Sequence, residues 1–380
     1  MPSMQPGAIH GHRWLKTGDE AFKAMLDGIR AASKSIRLEI YIYAASPLGV
    51  EFREALVEAQ KRGVSVRVMI DSFGSFYLSD SFWRPLREAG GEVRWFNPMS
   101  LERFGFRDHR KLLVCDDTHA FIGGFNIAPE YQGDGVHNGW RDLGLLLTGP
   151  MVAELARSFD LLFERADLRH HRFARLRKPH IAPSATSGNY TVLHCGPGRG
   201  FSSFKRMLHK DLAHGVSARI ISAYFLPTRR IRRDLFQMAR RGGRVQLLLA
   251  GKSDVPPAQM ACRRLYTAML KAGIEIYEYQ PQILHAKLIV IDSTTYVGSA
   301  NVDVRSLRIN YDLMLRLDDE VIAAEAIKIY KEAMEQSLRV ELKSWIQSRT
   351  LWQKIKEGWY YFLLSRVDPY IARRQLKWLR

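Results

Sequence analysis

The feature that most constrains this chain is a motif that occurs twice. HRKLLVCD begins at His109 and HAKLIVID begins at His285, so each copy has a histidine, a lysine two positions later and an aspartate five positions after that. Each copy then runs through a turn to Gly-Gly or Gly-Ser and an asparagine, Asn126 or Asn301. Chance would place roughly 0.03 such motifs in a chain of this size. Two copies with similar flanks therefore indicate an internal duplication.

The predicted elements around the two motifs follow the same order. A strand in 36–43, a helical stretch and a strand in 64–71 precede the first motif, and 218–225 and 244–251 flank a helical stretch before the second. Alternating strands and helices favour an α/β fold. We therefore predict two similar domains, each a mixed β-sheet flanked by helices, related by pseudo-two-fold symmetry and followed by a C-terminal helical tail. The predicted bounds are 1–185, 186–340 and 341–380, with the joint in the Pro-, Ser- and Gly-rich segment 178–189.

The spacing within the motif suits chemistry on a phosphodiester. Side chains alternate between the two faces of a strand, so His109 and Lys111 share a face. His285 and Lys287 do the same in the second copy. A neutral imidazole can attack phosphorus while a second, protonated imidazole gives its proton to the leaving alkoxide, and lysines offset the charge of the transition state. This scheme requires neither a metal ion nor a cofactor.

Two further pairs of residues extend the candidate site. Asn126 and Asn301 are predicted to help hold the non-bridging phosphate oxygens. Asp116 and Asp292 end their strands at a turn, where a structural hydrogen-bonding role is at least as well supported as a chemical one.

A histidine that attacks phosphorus needs its other ring nitrogen held by a partner, commonly a carboxylate. The matching segments WRDLGLLL and NYDLMLRL supply Asp142 and Asp312. They follow His109 and His285 by 33 and 27 residues, respectively. We predict that these two aspartates orient the histidines.

Together these motifs resemble the phospholipase D superfamily of enzymes with two HKD motifs, over roughly residues 15–335. YFLP at 224–227, HCGPG at 194–198 and SANVDVRS at 299–306 are most similar to bacterial cardiolipin synthases without N-terminal transmembrane segments. The resemblance implies transfer of a phosphatidyl group to the headgroup of phosphatidylglycerol through a covalent phosphohistidine. It also implies that His109 is the nucleophile and His285 the general acid and base.

Charge indicates the class of partner. The 57 Lys and Arg residues exceed the 39 Asp and Glu residues, a formal net charge of +18, which favours nucleic acid or a membrane rich in acidic lipid. The opening residues lack the apolar stretch of a signal peptide, and no run approaches the ~18 apolar residues of a membrane span. With three scattered cysteines as well, we expect a peripheral protein on the cytoplasmic face of a bacterial inner membrane.

The tail carries a second membrane signal. Trp345, Trp352 and Trp359 are seven residues apart, so one helix would align them in a stripe continued by Phe362 and Leu363. One interpretation is a helix packed on the core. The other is an interfacial helix with its indoles at headgroup depth and its basic residues against acidic lipid. The basic residues of the tail favour the second.

The remaining polar and aromatic candidates are less specific. Tyr41 and Tyr43 are interpreted as packing residues, and Glu39 as a further group that could approach the site. Histidines without matching partners are assigned to the surface or to loops: His10, His12, His119, His137, His170, His171 and His180.

Three functions are compatible with the motif pair. The first is a phosphatidyltransferase that makes cardiolipin, and the second is a phospholipase D in which water captures the intermediate. The third is a phosphodiesterase acting on nucleic acid, which the positive charge would also serve. The presence of both motifs in one chain and the aromatic, basic tail favour the lipid over the nucleic acid.

Overall fold

The computed structural model describes residues 11–97, 105–166, 186–197 and 202–370. Its strands are β1 (Gly11–Leu15), β2 (Ser35–Ile40), β3 (Ser65–Asp71), β4 (Glu92–Phe96), β5 (Leu112–Cys115), β6 (His119–Gly123), β7 (Gly144–Thr148), β8 (Thr186–Ser187), β9 (Tyr190–Cys195), β10 (Ser217–Ser222), β11 (Phe225–Leu226), β12 (Arg244–Ala250), β13 (Glu275–Tyr279), β14 (Leu288–Ile291), β15 (Thr294–Gly298), β16 (Val302–Asp303), β17 (Asp312–Asp318) and β18 (Ser337–Arg339).

The helices of these residues follow the strands in alternation through most of the chain. They are α1 (Gly18–Ala31), α2 (Pro47–Lys61), α3 (Arg84–Glu88), α4 (Met151–Ala166), α5 (Ser203–His214), α6 (Arg229–Arg240), α7 (Pro256–Arg263), α8 (Tyr266–Lys271), α9 (Val304–Arg308), α10 (Glu320–Glu335), α11 (Leu342–Gln347) and α12 (Leu351–Phe362), with short 3₁₀ turns at Asp80–Trp83 and Pro129–Tyr131 and a π-helical turn at Leu363–Val367.

The duplication predicted from the motifs is visible in the sheets. The first sheet has the order β1-β7-β6-β5-β2-β3-β4, and the second contains the matching series β9-β17-β15-β14-β10-β12-β13 with β8 and β18 added at its edges. In each, three strands are parallel and the others antiparallel. The predicted α/β class, with two mixed sheets flanked by helices and C-terminal helices beyond them, is confirmed.

Helices α4 and α10 follow equivalent strands and bury their apolar faces between the halves. Leu155 and Phe159 of α4 belong to a cluster that joins Leu112 of the first sheet to Val192 and Leu313 of the second. On the other side of the sheets, α10 packs against apolar residues of β14 in the second sheet. Leu143, which directly precedes β7 of the first sheet, belongs to the same cluster. Burial of this shared apolar surface fixes the position of one half against the other.

Direct backbone hydrogen bonds also join the halves, close to both motifs. The N–H of His109 donates to the carbonyl of Tyr311 at 2.8 Å, and the N–H of His285 donates to the carbonyl of Arg141 at 2.7 Å. The two contacts are equivalent under the pseudo-two-fold relation. Each motif histidine is therefore held at its backbone by the half to which it does not belong.

Two local expectations need correction. The first is that the motif lies within a strand from its histidine onward, whereas strands β5 and β14 begin only at Leu112 and Leu288. The first three motif residues lie before the strand, and the backbone N–H of each motif histidine donates to the opposite half rather than to a neighbouring strand.

The second correction concerns the tail, where the three tryptophans do not form one stripe. The helix is interrupted, because Thr350 and Gln353 form a capping box that starts α12 anew. Trp345 of α11 packs on Tyr266, with ring centroids 4.9 Å apart. Trp352 and Trp359 of α12 are 73% and 58% exposed. The core-packing interpretation therefore holds for α11, and of the two tail helices that the structure describes up to Phe362, α12 is the one that presents an exposed aromatic face.

Some expectations fall on other parts of the chain. Residues 178–185 of the predicted joint lie outside the described residues, as do His10, His170, His171 and His180. The domain boundary at 185/186 stays a prediction. Among the helices of the described ranges, none has the length and apolarity needed to cross a bilayer.

Candidate active site

The two motif histidines are buried and each is bound to an aspartate from the opposite half. Nδ1 of His109 lies 2.8 Å from Oδ1 of Asp312, and Nδ1 of His285 lies 2.6 Å from Oδ2 of Asp142. Both aspartates are almost fully buried. The predicted orienters therefore reach the histidines, but the pairing is crossed: each aspartate follows one motif in sequence and contacts the histidine of the other.

The crossed pairing follows from the backbone contacts between the halves. Tyr311 precedes Asp312 and is bonded through its carbonyl to His109, while Arg141 precedes Asp142 and is bonded to His285. Because Tyr311 and Asp312 are adjacent in the chain, as are Arg141 and Asp142, the backbone contact at each histidine also places a carboxylate next to its ring.

The motif lysines lie beside their histidines. Nζ of Lys111 donates to the carbonyl of His109 at 2.7 Å. Nζ of Lys287 donates to the carbonyl of His285 and lies 3.1 Å from Nε2 of that ring. Burial and then the charge of Lys287 lower the pKa of Lys111 to about 7. Burial lowers the pKa of Lys287 to about 8, although the carboxylate of Asp142 opposes this. Two lysines from different halves thus share one poorly hydrated site.

The surroundings keep both histidines neutral. Burial and the charge of Lys111 lower the pKa of His109 to about 3 and outweigh Asp312. Burial and the charge of Lys287 likewise lower the pKa of His285. With Nδ1–H donated to a carboxylate, each neutral imidazole carries its lone pair on Nε2. The charge of Lys287 also acts on His109 and that of Lys111 acts on His285, so the two imidazole bases and the two lysines lie close enough to influence one another.

A one-residue difference between the motifs is explained by these aspartates. In the second half, Oγ of Ser299 donates to Oδ1 of Asp312 at 2.7 Å. At the equivalent place in the first half, a Cβ on Gly124 would lie 2.1 Å from Oδ1 of Asp142. Asp142 accepts instead from the backbone N–H of Leu143 at 2.8 Å. The Gly-Ser sequence thus supplies a hydroxyl that binds Asp312, whereas the Gly-Gly sequence leaves room for the equivalent carboxylate of Asp142.

Three aromatic residues in contact with the histidines were missed by sequence reasoning or assigned elsewhere. The ring of Tyr41 lies 4.9 Å from that of His109, so this tyrosine packs against the site itself. Tyr131 and Trp140 lie 5.3 Å and 5.7 Å from the ring of His285. Trp140 precedes Asp142 by two residues in the segment WRDLGLLL, so its position next to a predicted site residue could have marked it as a candidate. No sequence pattern marked Tyr131.

The two asparagines are buried close to the motifs. Nδ2 of Asn126 donates to Oη of Tyr131 at 2.7 Å, and its Oδ1 accepts from the N–H of Ile42. Asn301 donates through its backbone N–H to Oγ of Ser306. Within the described residues, Oδ1 of Asn301 has no hydrogen-bond partner. Contact of either asparagine with a phosphate stays a prediction.

Asp116 and Asp292 hold the backbone at the ends of their strands. Both have positive φ angles, 55° and 50°. Asp116 accepts from the N–H groups of three consecutive residues, the nearest being that of Lys34 at 2.7 Å, and Asp292 accepts from the N–H of Ser217 at 2.9 Å. These bonds attach the end of each motif strand to the start of its neighbour, as in the structural interpretation.

Glu39 reaches the first motif from the neighbouring strand. One carboxylate oxygen lies 3.0 Å from a guanidinium nitrogen of Arg110, and both side chains are buried. Glu39 is paired across the strands with Leu112, and the charges of Arg110 and Lys111 oppose the burial that raises its pKa. Burial, and then the charge of Glu39, raise the pKa of Asp108 in the same cluster. Glu39 thus approaches the first motif and pairs with its second residue.

Known proteins resemble this chain over most of its length. Residues 25–163 and 211–334 match the family model described as cardiolipin synthase, PLD-like domain. Cardiolipin synthase 2 of Bacillus anthracis is 32% identical over 362 residues, which span 92% of this chain and 70% of the relative. Major cardiolipin synthase ClsA of Bacillus subtilis (strain 168) is 33% identical over 353 residues, 90% of this chain and 73% of the relative.

Solved structures share the fold. A phosphatidylserine synthase of Haemophilus influenzae Rd KW20 superposes with a TM-score of 0.74 and 15% identity, covering 97% of each chain. A polyphosphate kinase of Porphyromonas gingivalis gives a TM-score of 0.61 and 12% identity over 97% of this chain and 54% of the kinase. At such identities the likeness concerns the architecture alone.

Proposed function

This chain belongs to the cardiolipin synthase family of phospholipase D-like proteins, and from that membership we propose that it moves a phosphatidyl group to the glycerol headgroup of phosphatidylglycerol, giving cardiolipin. It is a phosphatidyltransferase-type enzyme of the phospholipase D superfamily with a phospholipid substrate. The observation that carries the detailed proposal is the crossed pair of His–Asp contacts at 2.8 Å and 2.6 Å.

In the first step, Nε2 of His109 attacks the phosphorus of the donor lipid. A bond forms between Nε2 and phosphorus, and the bond from phosphorus to the headgroup oxygen breaks. Asp312 holds Nδ1–H and stabilises the positive charge that develops on the ring. His285 in its protonated form gives the proton of Nε2 to the leaving oxygen, which departs as glycerol when the donor is phosphatidylglycerol.

In the second step, the headgroup hydroxyl of an acceptor lipid replaces the histidine. Neutral His285 takes the hydroxyl proton, the oxygen bonds to phosphorus, and the bond to His109 breaks. His109 is neutral again and His285 is again protonated, so atoms and charges balance over the cycle.

Substrate binding supplies the protonation state that His285 needs. Burial and Lys287 lower its pKa when no lipid is bound. A phosphodiester anion between the histidines offsets the two lysine charges and favours proton uptake by His285. We therefore assign proton uptake to the step in which the donor lipid binds.

The burial of the site supports transfer over hydrolysis. The side chains of His109 and His285 are only 11% and 5% exposed. Little of either ring meets solvent, so an alcohol held in the site competes well with water for the phosphohistidine.

A product assay tests the proposal. Purified protein given phosphatidylglycerol vesicles is expected to yield cardiolipin and glycerol, read by mass spectrometry, and His109→Ala or His285→Ala should reduce the yield at least about 10³-fold. Quenching in denaturant at neutral to mildly alkaline pH, where the phosphorus–nitrogen bond survives, should retain more phosphorylated intermediate in the His285→Ala protein than in the His109→Ala protein. Phosphatidic acid as the sole product would favour the hydrolase, and cleavage of DNA without lipid turnover would favour the nuclease.

We also propose that the protein meets the cytoplasmic surface of the bacterial inner membrane through α12. Trp352, Ile355, Trp359 and Phe362 follow a helical spacing and are each at least 50% exposed. Lys354 and other basic residues of the tail accompany them. Indoles favour the headgroup region and lysines favour anionic lipid, so this face suits a bilayer containing phosphatidylglycerol.

Flotation with vesicles tests this contact. Trp352→Ser with Trp359→Ser should lower the bound fraction on vesicles rich in phosphatidylglycerol several-fold. Val321→Ser is a matched control, since Val321 is a 65% exposed apolar residue outside the tail. Equal binding of the double variant and the control protein would refute the role of α12.

A further inference from the structure

The two histidines have chemically different neighbours despite the pseudo-symmetry. Tyr41, which packs on His109, accepts a hydrogen bond from Nη1 of Arg107 at 3.3 Å. Burial raises the pKa of the Tyr41 hydroxyl, while the charges of Arg107 and Arg305 oppose that rise. The position equivalent to Arg305, four residues after the motif asparagine, is Glu130 in the first half. The surroundings of Tyr41 are thus rich in guanidinium groups.

The neighbours of His285 are aromatic, hydroxyl-bearing and acidic. Tyr131 and Trp140 flank its ring. In the same half as His285, Oη of Tyr224 donates to the carboxylate of Asp254, at 2.6 Å to one oxygen and 2.8 Å to the other.

The strand register places this Tyr–Asp pair at the second motif. Ile221 of β10 is paired with Leu288 of β14 in antiparallel sense, so Tyr224, three residues later, and His285, three residues earlier, leave the sheet at the same end. The charge of Asp254 acts on Lys287 and on Tyr131. Tyr224 is half-buried and Asp254 is exposed, so a molecule arriving from outside can touch both.

The chemistry of this pair suits a polyol. A carboxylate has about four acceptor positions, and the tyrosine hydroxyl uses only part of them. The others can accept from the hydroxyls of a diol, while the faces of Trp140 and Tyr131 can pack on its carbon chain. A second phosphate here would meet the negative charge of Asp254, and an ammonium headgroup would meet the positive charge of Lys287.

We propose that Tyr224 and Asp254, with Trp140, form the binding site for the glycerol headgroup on the His285 side of the cleft. The proposal deepens the proposed function and rests on it. His285 is the group that exchanges protons with the leaving glycerol and with the incoming headgroup hydroxyl. A site that grips the neighbouring hydroxyl of the same glycerol aligns the reacting oxygen with Nε2 of His285, and it gives a glycerol-type acceptor an advantage over water or a simple alcohol.

Competition between acceptors isolates this role. Phosphatidylglycerol vesicles serve as the donor, isotopically labelled glycerol and ethanol are added together, and labelled phosphatidylglycerol and phosphatidylethanol are counted by mass spectrometry. Both products come from the same phosphohistidine, so their ratio is independent of the rate at which the intermediate forms. A hydrogen bond to a charged group contributes enough that its loss should lower the glycerol-to-ethanol ratio about ten-fold or more in Asp254→Ala. Tyr224→Phe should lower the ratio less, because the carboxylate remains.

The matched control is another tyrosine–carboxylate pair in the same half. Oη of Tyr277 donates to Glu275 at 2.7 Å on strand β13, and Tyr277→Phe should leave the ratio as in the wild type. An Asp254→Ala ratio within two-fold of the wild type would overturn the proposal, and so would an equal fall in Tyr277→Phe. If Asp254→Ala selectively lost the ability to use phosphatidylethanolamine as the donor lipid, the result would instead show that the pair binds an ammonium headgroup. Continued ethanol capture shows that a variant is folded, whereas a wild-type protein that forms none of these products would refute the proposed function itself.

Discussion

Lys111 is expected to destabilise the lipid-free protein, so that replacing it by methionine raises stability while activity is lost. Lys111 is 3% exposed, and burial together with Lys287 lowers its pKa from 10.5 to about 7. A lysine whose pKa is lower in the folded than in the unfolded chain binds its proton less readily when folded. The resulting penalty is greatest below the folded-state pKa and disappears as the pH rises from about 7 towards 10.5.

The size of the effect follows from that difference in pKa. At pH 7 the penalty is roughly 4 kcal/mol, since each pKa unit corresponds to about 1.4 kcal/mol. Methionine removes the penalty but also the hydrogen bond from Nζ to the carbonyl of His109, which contributes about 2 kcal/mol. The expected net gain for Lys111→Met is about 2 kcal/mol at pH 7 and about zero at pH 9, where the penalty has fallen to about 2 kcal/mol and equals the contribution of the lost hydrogen bond.

Thermal unfolding in phosphate-free buffer measures this difference. Lys111→Met should raise the midpoint by about 3 °C or more at pH 7, and the gain should vanish by pH 9. Lys210→Met, on the exposed face of α5, serves as the control and should move the midpoint by less than about 1 °C at either pH. A Lys111→Met protein less stable than the wild type at pH 7, or a gain equal at both pH values, would refute the reasoning.

Three further predictions concern the same groups. Gly124→Ala should displace the carboxylate of Asp142 and reduce cardiolipin formation about 10²-fold with little loss of lipid binding, measured as kcat against KM. With a donor whose leaving group needs no proton, such as a nitrophenyl phosphodiester, Asp312→Asn should slow formation of the phosphohistidine by about 10²-fold or more, whereas Asp142→Asn, which affects the general acid, should slow it little. An equal loss in the two variants, measured by rapid-quench kinetics, would contradict the crossed pairing. Affinity for a soluble phosphodiester should fall as the pH rises past about 8, because the two site lysines, with pKa values of about 7 and 8, have then lost the charges that hold the anion. Calorimetric titration at pH 6, 7, 8 and 9 measures this affinity, and a constant value would show that the lysines do not bind the anion.

The duplication made the architecture predictable from the sequence. Equal spacing of His109, Lys111 and their counterparts required two similar units, and the alternating elements required mixed sheets within each unit. The aspartates were found because matching segments contain them. Periodicity reports which residues share a face, and for Asp142 and Asp312 that was enough to mark them as candidates.

Contacts between the halves could not be predicted in the same way. A repeat shows that two units exist and leaves open which residue of one faces which residue of the other. The crossed pairing of Asp312 with His109 therefore has no signal in either copy.

The prediction of one aromatic stripe in the tail was wrong for a local reason. A spacing of seven suits one helix, but the capping box at Thr350 starts a new helix, and Trp345 of the preceding helix packs on Tyr266.

The crossed aspartates give a physical reason for keeping both halves in one chain. Either half alone would bury a histidine without its carboxylate and an aspartate without its histidine, and an unpaired buried carboxylate is costly. A symmetric dimer of one half would satisfy the pairs, but every substitution would then appear on both sides of the phosphorus atom. Joined in one chain, the halves can differ: Glu39 supports the first motif where the paired position beside β14 is Ile221. The same freedom allows a tyrosine–aspartate pair in one half and arginines near the histidine of the other, and a transferase benefits from such a difference because its two histidines have different roles in the reaction.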